Sequence, residues 1–73
     1  MGESVMVAQR LAEIRKQKGY SQAEIAKILD MYQQQYSRYE KGVYEIPVRH
    51  VITLCKFYGI SADWLLGLKD SLE

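Results

Sequence analysis

Gly19, Gly42 and Gly59 divide this chain into pieces of helix length, and the first two directly follow a lysine. Glycine takes the left-handed conformation that ends a helix, and cations in a last turn suit the negative end of the helix dipole. No stretch alternates apolar and polar residues with period two, so strands are not expected. Five helices follow, at about 7–18, 22–29, 33–41, 47–58 and 62–68. The expected fold is an all-α five-helix bundle forming a single domain over 1–73.

The starts of these helices are also marked. Ser21 can cap the second helix, with Glu24 reaching back from three residues on and Tyr20 and Ile25 placed as a hydrophobic staple. Pro47 is suited to a first turn, where its missing N–H costs nothing. Ser61 can cap the last helix, with Ile60 and Leu65 as a second staple. Leu11 and Ile14 mark the buried face of the first helix, and Ile25, Ala26 and Leu29 that of the second. Val51, Leu54, Cys55 and Tyr58 stand at i, i+3, i+4 and i+7, one face of the fourth.

Composition narrows the means of stabilising 73 residues. One cysteine excludes an internal disulfide, and one histidine leaves too few soft ligands for structural zinc. Helix packing must do the work, with dimerisation a possible aid. A chain 48% hydrophobic and 26% charged is compatible with a packed globule. No apolar run reaches membrane-span length and no signal pattern opens the chain, so a cytoplasmic location is expected. Met1 and the polar ending Ser71-Leu72-Glu73 are compatible with a whole protein. The net charge is only +1, so an electrostatic footprint for nucleic acid would have to be concentrated on one face.

Residues 22–41 carry the functional signal: a helix, a tight turn and a short second helix. Ala26 is small enough for a close helix crossing, and Asp30 can take a left-handed turn, although glycine would do so more cheaply. Tyr36 and Tyr39 form an inward pair, leaving Gln33, Gln34, Ser37, Arg38 and Lys41 on the other side. Glutamine can donate and accept together at the adenine N6/N7 edge, and arginine forks onto guanine O6 and N7. Gln33, Gln34 and Arg38 are therefore the expected base readers. Gln22, Tyr32, Ser37, Lys41 and Tyr44 are the expected contacts to the DNA backbone. A solvated helix start is the competing reading of the glutamines, and Gln35 could instead reach back to the bare helix N-terminus at Tyr32.

The run GYSQAEIAKILDMYQQQYSRYEKG, followed by Ile46-Pro47 and FYGISADWLLG, resembles the Cro/repressor (Xre-type) helix-turn-helix family over about residues 8–68. The resemblance implies a lambda-repressor-like domain that binds double-stranded operator DNA, usually as a symmetric homodimer. On that likeness, Gln33, Gln34 and Arg38 match base-contacting positions, and Gln22 a phosphate-contacting one. Arg15 and Glu40 match a partly buried salt bridge. The segment 60–73, and within it Asp63–Leu66, falls in the region that often supplies the dimer contact. Trp64, Leu65, Leu66 and Leu68 exceed what a short last helix needs to anchor itself: either they complete the core or part of the patch closes a dimer, and a mixture of the two is expected. Three departures stand out: Asp30 replaces the usual turn glycine, Tyr32 replaces a Ser or Thr cap, and Val43-Tyr44-Glu45 lacks the usual phosphate-binding lysines or arginines.

The resulting expectation is a transcriptional regulator, a repressor acting at a pseudo-palindromic operator. The competing class is a protein-interaction module, antitoxin-like or adaptor, on the same fold. No nucleophile with a base, phosphate-cradling glycine loop or metal-ligand spacing points to an enzyme. No cofactor, metal site, membrane partner or small-molecule ligand is indicated. His50 reads as a surface or packing residue and Cys55 as a small buried hydrophobe.

Overall fold

Capping chemistry sets the helix borders in the computed structural model, which describes residues 3–72. The helices are α1 (Glu3–Lys18), α2 (Gln22–Ile28), α3 (Gln33–Glu40), α4 (Val48–Tyr58) and α5 (Ala62–Leu65), with no strand among the described residues. The chain ends named above, Met1 and Glu73, lie outside those residues.

At α2, the Ser21 hydroxyl accepts from Glu24 N at 3.1 Å and the Glu24 carboxylate accepts from Ser21 N at 2.8 Å. This reciprocal box satisfies two amide groups that the first turn would otherwise leave unpaired. The turn after α2 closes with Asp30 N donating to Lys27 O and Met31 N to Ala26 O. That is the Schellman pattern, which needs one residue in the left-handed region. Here Asp30 supplies it, with φ +57°.

Five borders differ from the sequence expectation. At two of them Leu29 and Lys41 are the C-caps of α2 and α3 and not their last helical residues. α1 begins at Glu3 rather than Val7, because no glycine or proline interrupts residues 3–6 and the exposed Val5 and Met6 can be helical without joining the buried stripe. Pro47 caps α4 in an extended conformation (φ −62°, ψ 150°) instead of forming its first turn. α5 stops at Leu65, since Gly67 turns the backbone left-handed at φ +83°. A Cβ at Gly67 would come within 2.9 Å of Met6 Cγ, so the glycine is also a point of close approach to α1.

The core joins Leu11 and Ile14 of α1, Ile25 and Ala26 of α2, Leu29 just after it, Tyr36 of α3, Val51, Leu54 and Tyr58 of α4, and Trp64 and Leu65 of α5. Full burial of each large apolar side chain contributes about 1.5–3 kcal/mol, which has to offset the chain entropy lost on folding. Trp64 (3% exposed) and Leu65 (0%) sit inside this core, on the core side of the expected mixture and not on an exposed dimer surface. The side chains needed to hold a four-residue helix against α1 and α4 cannot also face a partner. Leu66 and Leu68, after the helix, are the exposed pair at 38% and 73%.

Arg10 fastens the end of the chain to α1. Its guanidinium donates to the carbonyls of Trp64 and Lys69, lies 4.9 Å from the Trp64 ring centroid and reaches Asp70 at 4.0 Å.

Candidate nucleic-acid interface

The outward face of α3 is defined by what the helix turns inward. Tyr36 is fully buried, and Glu40, one turn later, has a side chain only 5% exposed. Between these anchors, rotation of the helix is fixed. Gln33, Gln34, Ser37, Arg38 and Lys41 then share the opposite face, where with Gln22 they line one shallow polar depression. Gln33, Gln34, Arg38 and Lys41 are exposed, and Ser37 is half-buried.

Tyr32 is the N-cap of α3 and its side chain offers no oxygen at capping position. Gln35 compensates: its Oε1 accepts from Tyr32 N at 3.2 Å. This use of its amide oxygen separates Gln35 from its two neighbours and leaves Gln33 and Gln34 as the free tips of the first turn.

Glu40 is the hub behind this face. Its Oε2 accepts from Arg15 Nε at 2.7 Å and its Oε1 from Arg15 Nη2 at 3.0 Å. Gln22 Nε2 donates to the same Oε1 at 2.9 Å. Arg15 Nη1 donates in addition to Tyr20 O at 2.9 Å. Burial by itself would raise the Glu40 pKa, but hydrogen bonds led by Arg15 outweigh it and hold the carboxyl below the usual glutamate range. The same pairing raises Arg15 against its own desolvation. Both groups therefore stay charged and neutralise each other, so Glu40 does not project an unbalanced negative charge toward the polar face. The Tyr36 hydroxyl is buried beside this carboxylate without a partner at bonding geometry, and burial drives its pKa well above the ordinary tyrosine value.

The expected backbone-contact residues occupy different positions. Gln22 is half-buried and tied to Glu40, with its flank on the depression. Tyr32 is 78% and Tyr44 59% exposed, at the two ends of α3. Tyr44 does more than stand near the face: the Arg38 guanidinium carbon lies 5.9 Å from its ring centroid. The sequence reading missed this contact and the Gln22–Glu40 bond. Each joins residues from different turns or helices, beyond the reach of helical spacing.

The remaining candidates fall outside the face. His50 packs with its ring 6.3 Å from that of Tyr39, and burial followed by the nearby Arg49 lowers its pKa. Cys55 is half-buried and its thiol is pushed up by burial. Among the described residues no cluster of three His, Cys, Asp or Glu side chains could hold a metal, and no helix is long and apolar enough to cross a membrane.

Comparison with known proteins agrees with this fold. A family model described as "Helix-turn-helix" matches residues 11–65. The chain is 38% identical over 61 residues to the SPbeta prophage-derived uncharacterized HTH-type transcriptional regulator YonR of Bacillus subtilis (strain 168), covering 84% of this chain and 56% of that protein. It is 33% identical over 67 residues to the HTH-type transcriptional regulator ImmR of the same organism, covering 92% and 52%. The chain thus spans a little over half the length of these curated relatives. A transcriptional regulator from Listeria innocua superposes with a TM-score of 0.80 at 22% identity, covering 92% of this chain and 63% of that one. The hypothetical transcription factor NHTF from Neisseria superposes with a TM-score of 0.77 at 23% identity, covering 88% and 74%. The matched family and its named relatives are regulators, not enzymes. The helix-turn-helix of α2 and α3, the ion pair behind it and these matches lead to one conclusion: the chain belongs to the Xre-type helix-turn-helix family of transcriptional regulators.

Proposed function

We propose that this domain binds duplex DNA with α3 in the major groove and regulates transcription by occupying a promoter as a repressor. The observation that carries the reading is the common polar face of Gln33, Gln34, Ser37, Arg38 and Lys41 on a helix anchored from behind by Tyr36 and Glu40. In this reading Gln33, Gln34 and Arg38 read base edges, while Gln22, Tyr32, Ser37 and Lys41 meet the backbone; Tyr44, expected from the sequence to do the same, stands beside Arg38. A two-fold homodimer would set its two reading helices about 34 Å apart, on successive turns of a pseudo-palindromic operator. The domain measures 29 × 26 × 21 Å, a size that lets two copies lie side by side at that spacing. The exposed Leu66 and Leu68 are the candidates for the contact between them.

Selection of bound sequences from a random duplex pool tests the reading. An enriched inverted repeat is expected, and Arg38→Ala should relax preference at one position per half-site, at a cost of about 1–3 kcal/mol. Equal loss on selected and random duplex would remove Arg38 from the readers.

A second reading, a protein-interaction module, draws on the net charge of +1 and the absence of lysine or arginine at 43–45. Affinity for random duplex across salt concentrations separates the two. A DNA-binding domain should show a log–log slope of several units, and absence of binding at low salt would favour the module.

A further inference from the structure

Arg38 extends from an exposed helix face, and a long side chain in that position has rotamer freedom to lose on binding. The chain folds a second residue against it. After α3, Gly42 takes a left-handed turn at φ +76°, Gly42 N donates to Tyr39 O at 3.2 Å and Val43 N to Arg38 O at 3.0 Å. This closure returns the chain along the last turn of α3, so that Tyr44 comes up beside Arg38 with 5.9 Å between ring centroid and guanidinium carbon. Away from Arg38, Tyr44 borders an apolar cleft with Ala8, Leu11, Tyr39 and Ile46, which gives the ring a seat although 59% of the residue is exposed.

We infer that Tyr44 is a positioning residue for Arg38, acting through the face of its ring and not through its hydroxyl. A cation held by the ring quadrupole needs no hydrogen bond to the hydroxyl, so the guanidinium donors stay available to fork onto guanine O6 and N7. Tyr44 thereby restricts Arg38 before DNA arrives. The inference rests on the proposed DNA-reading role of Arg38 and gives the aromatic residue of the loop a role distinct from a phosphate contact.

The test compares Tyr44→Phe, which keeps the ring, with Tyr44→Leu, which keeps only apolar bulk. Each is measured in the wild-type and Arg38→Ala backgrounds, on the duplex selected by the wild-type domain and on the same duplex altered at the Arg38 position. Tyr44→Leu should lose about two- to five-fold in affinity per half-site and a similar factor in discrimination at that base. Tyr44→Phe should stay close to wild type, and Tyr44→Leu should cost nothing further once Arg38 is alanine. An equal loss in Tyr44→Phe identifies a hydroxyl contact and overturns the inference, as does a Tyr44→Leu loss that persists without Arg38. In the DNA-free protein, the Arg38 side-chain protons should show an upfield ring-current shift by NMR that Tyr44→Phe preserves and Tyr44→Leu removes. Absence of that shift in the wild type overturns the inference whatever the DNA result. A shift without any duplex binding would instead sink the DNA-reading role while leaving the contact itself intact.

Discussion

Glu40→Gln isolates the ion pair on which the orientation of α3 depends. The substitution keeps the shape and an oxygen that Gln22 and Arg15 can still donate to, but it removes the charge opposite a guanidinium whose side chain is only 11% exposed. Removing one partner of a buried pair costs about 3–5 kcal/mol. Arg15 retains its bond to Tyr20 O and the glutamine keeps an acceptor, which places this case at or just below the lower limit, at about 2–3 kcal/mol. For a domain of this size that lowers the thermal midpoint by roughly 10–20 °C, a large part of its whole stability. Urea and thermal unfolding followed by circular dichroism read it directly. Replacing both residues by methionine should cost less than the two single replacements added together, by about 1 kcal/mol or more. The pH dependence has a definite sign. Glu40 is depressed in the folded chain, so as pH falls the unfolded chain takes up the proton first. The stabilisation is complete above the ordinary glutamate value of about 4.3 and is lost as pH falls through the lower native value. Glu40→Gln should flatten that acid arm. A variant within about 0.5 kcal/mol of wild type, with the acid arm unchanged, would refute the view that this pair holds the helix.

Four further perturbations test other parts of the structure. Asp30→Gly relieves a left-handed non-glycine residue and should raise the urea midpoint, with a gain of about 0.5–1 kcal/mol. Tyr32→Ser completes the capping box that Gln35 already half supplies and should stabilise by about 1 kcal/mol in the same assay. Tyr58→Phe deletes a buried hydroxyl without a hydrogen-bond partner, so unfolding measurements should find it neutral or stabilising by up to about 1 kcal/mol. The Cys55 thiol, half-buried with its pKa raised, should react with a thiol reagent far more slowly at neutral pH than in denatured chain.

Local chemistry made most of the architecture legible in the sequence. Ser21 with Glu24, Lys18-Gly19 and Lys41-Gly42 mark helix borders through bonds that span three or four residues, and such bonds are visible as short patterns. Tyr36 could be assigned inward because it shares a helical period with the core. The start of α1 was missed because Val5 and Met6 are exposed and extend no buried stripe, and the end of α5 because Gly67 stops the helix with Leu66 and Leu68 still to come. For the same reason Trp64 and Leu65 could not be told from Leu66 and Leu68 by composition: all four are apolar, and only the turn separates core from surface. Arg10 holding two carbonyls more than fifty residues away, Gln22 bonded to Glu40 and Arg38 beside Tyr44 are pairings that exist only once helices are assembled. No spacing in the chain encodes them.

The brevity of α3 has an informational consequence. Eight residues make a rod about 12 Å long, which lies alongside three or four base pairs at about 3.4 Å each. A word that short recurs by chance on the order of once per hundred base pairs, whereas a genome presents at least about a million competing positions. One copy of this domain can therefore spell a syllable but not an address. On the proposed reading, a regulator built from it would gain further specificity by repetition along the duplex.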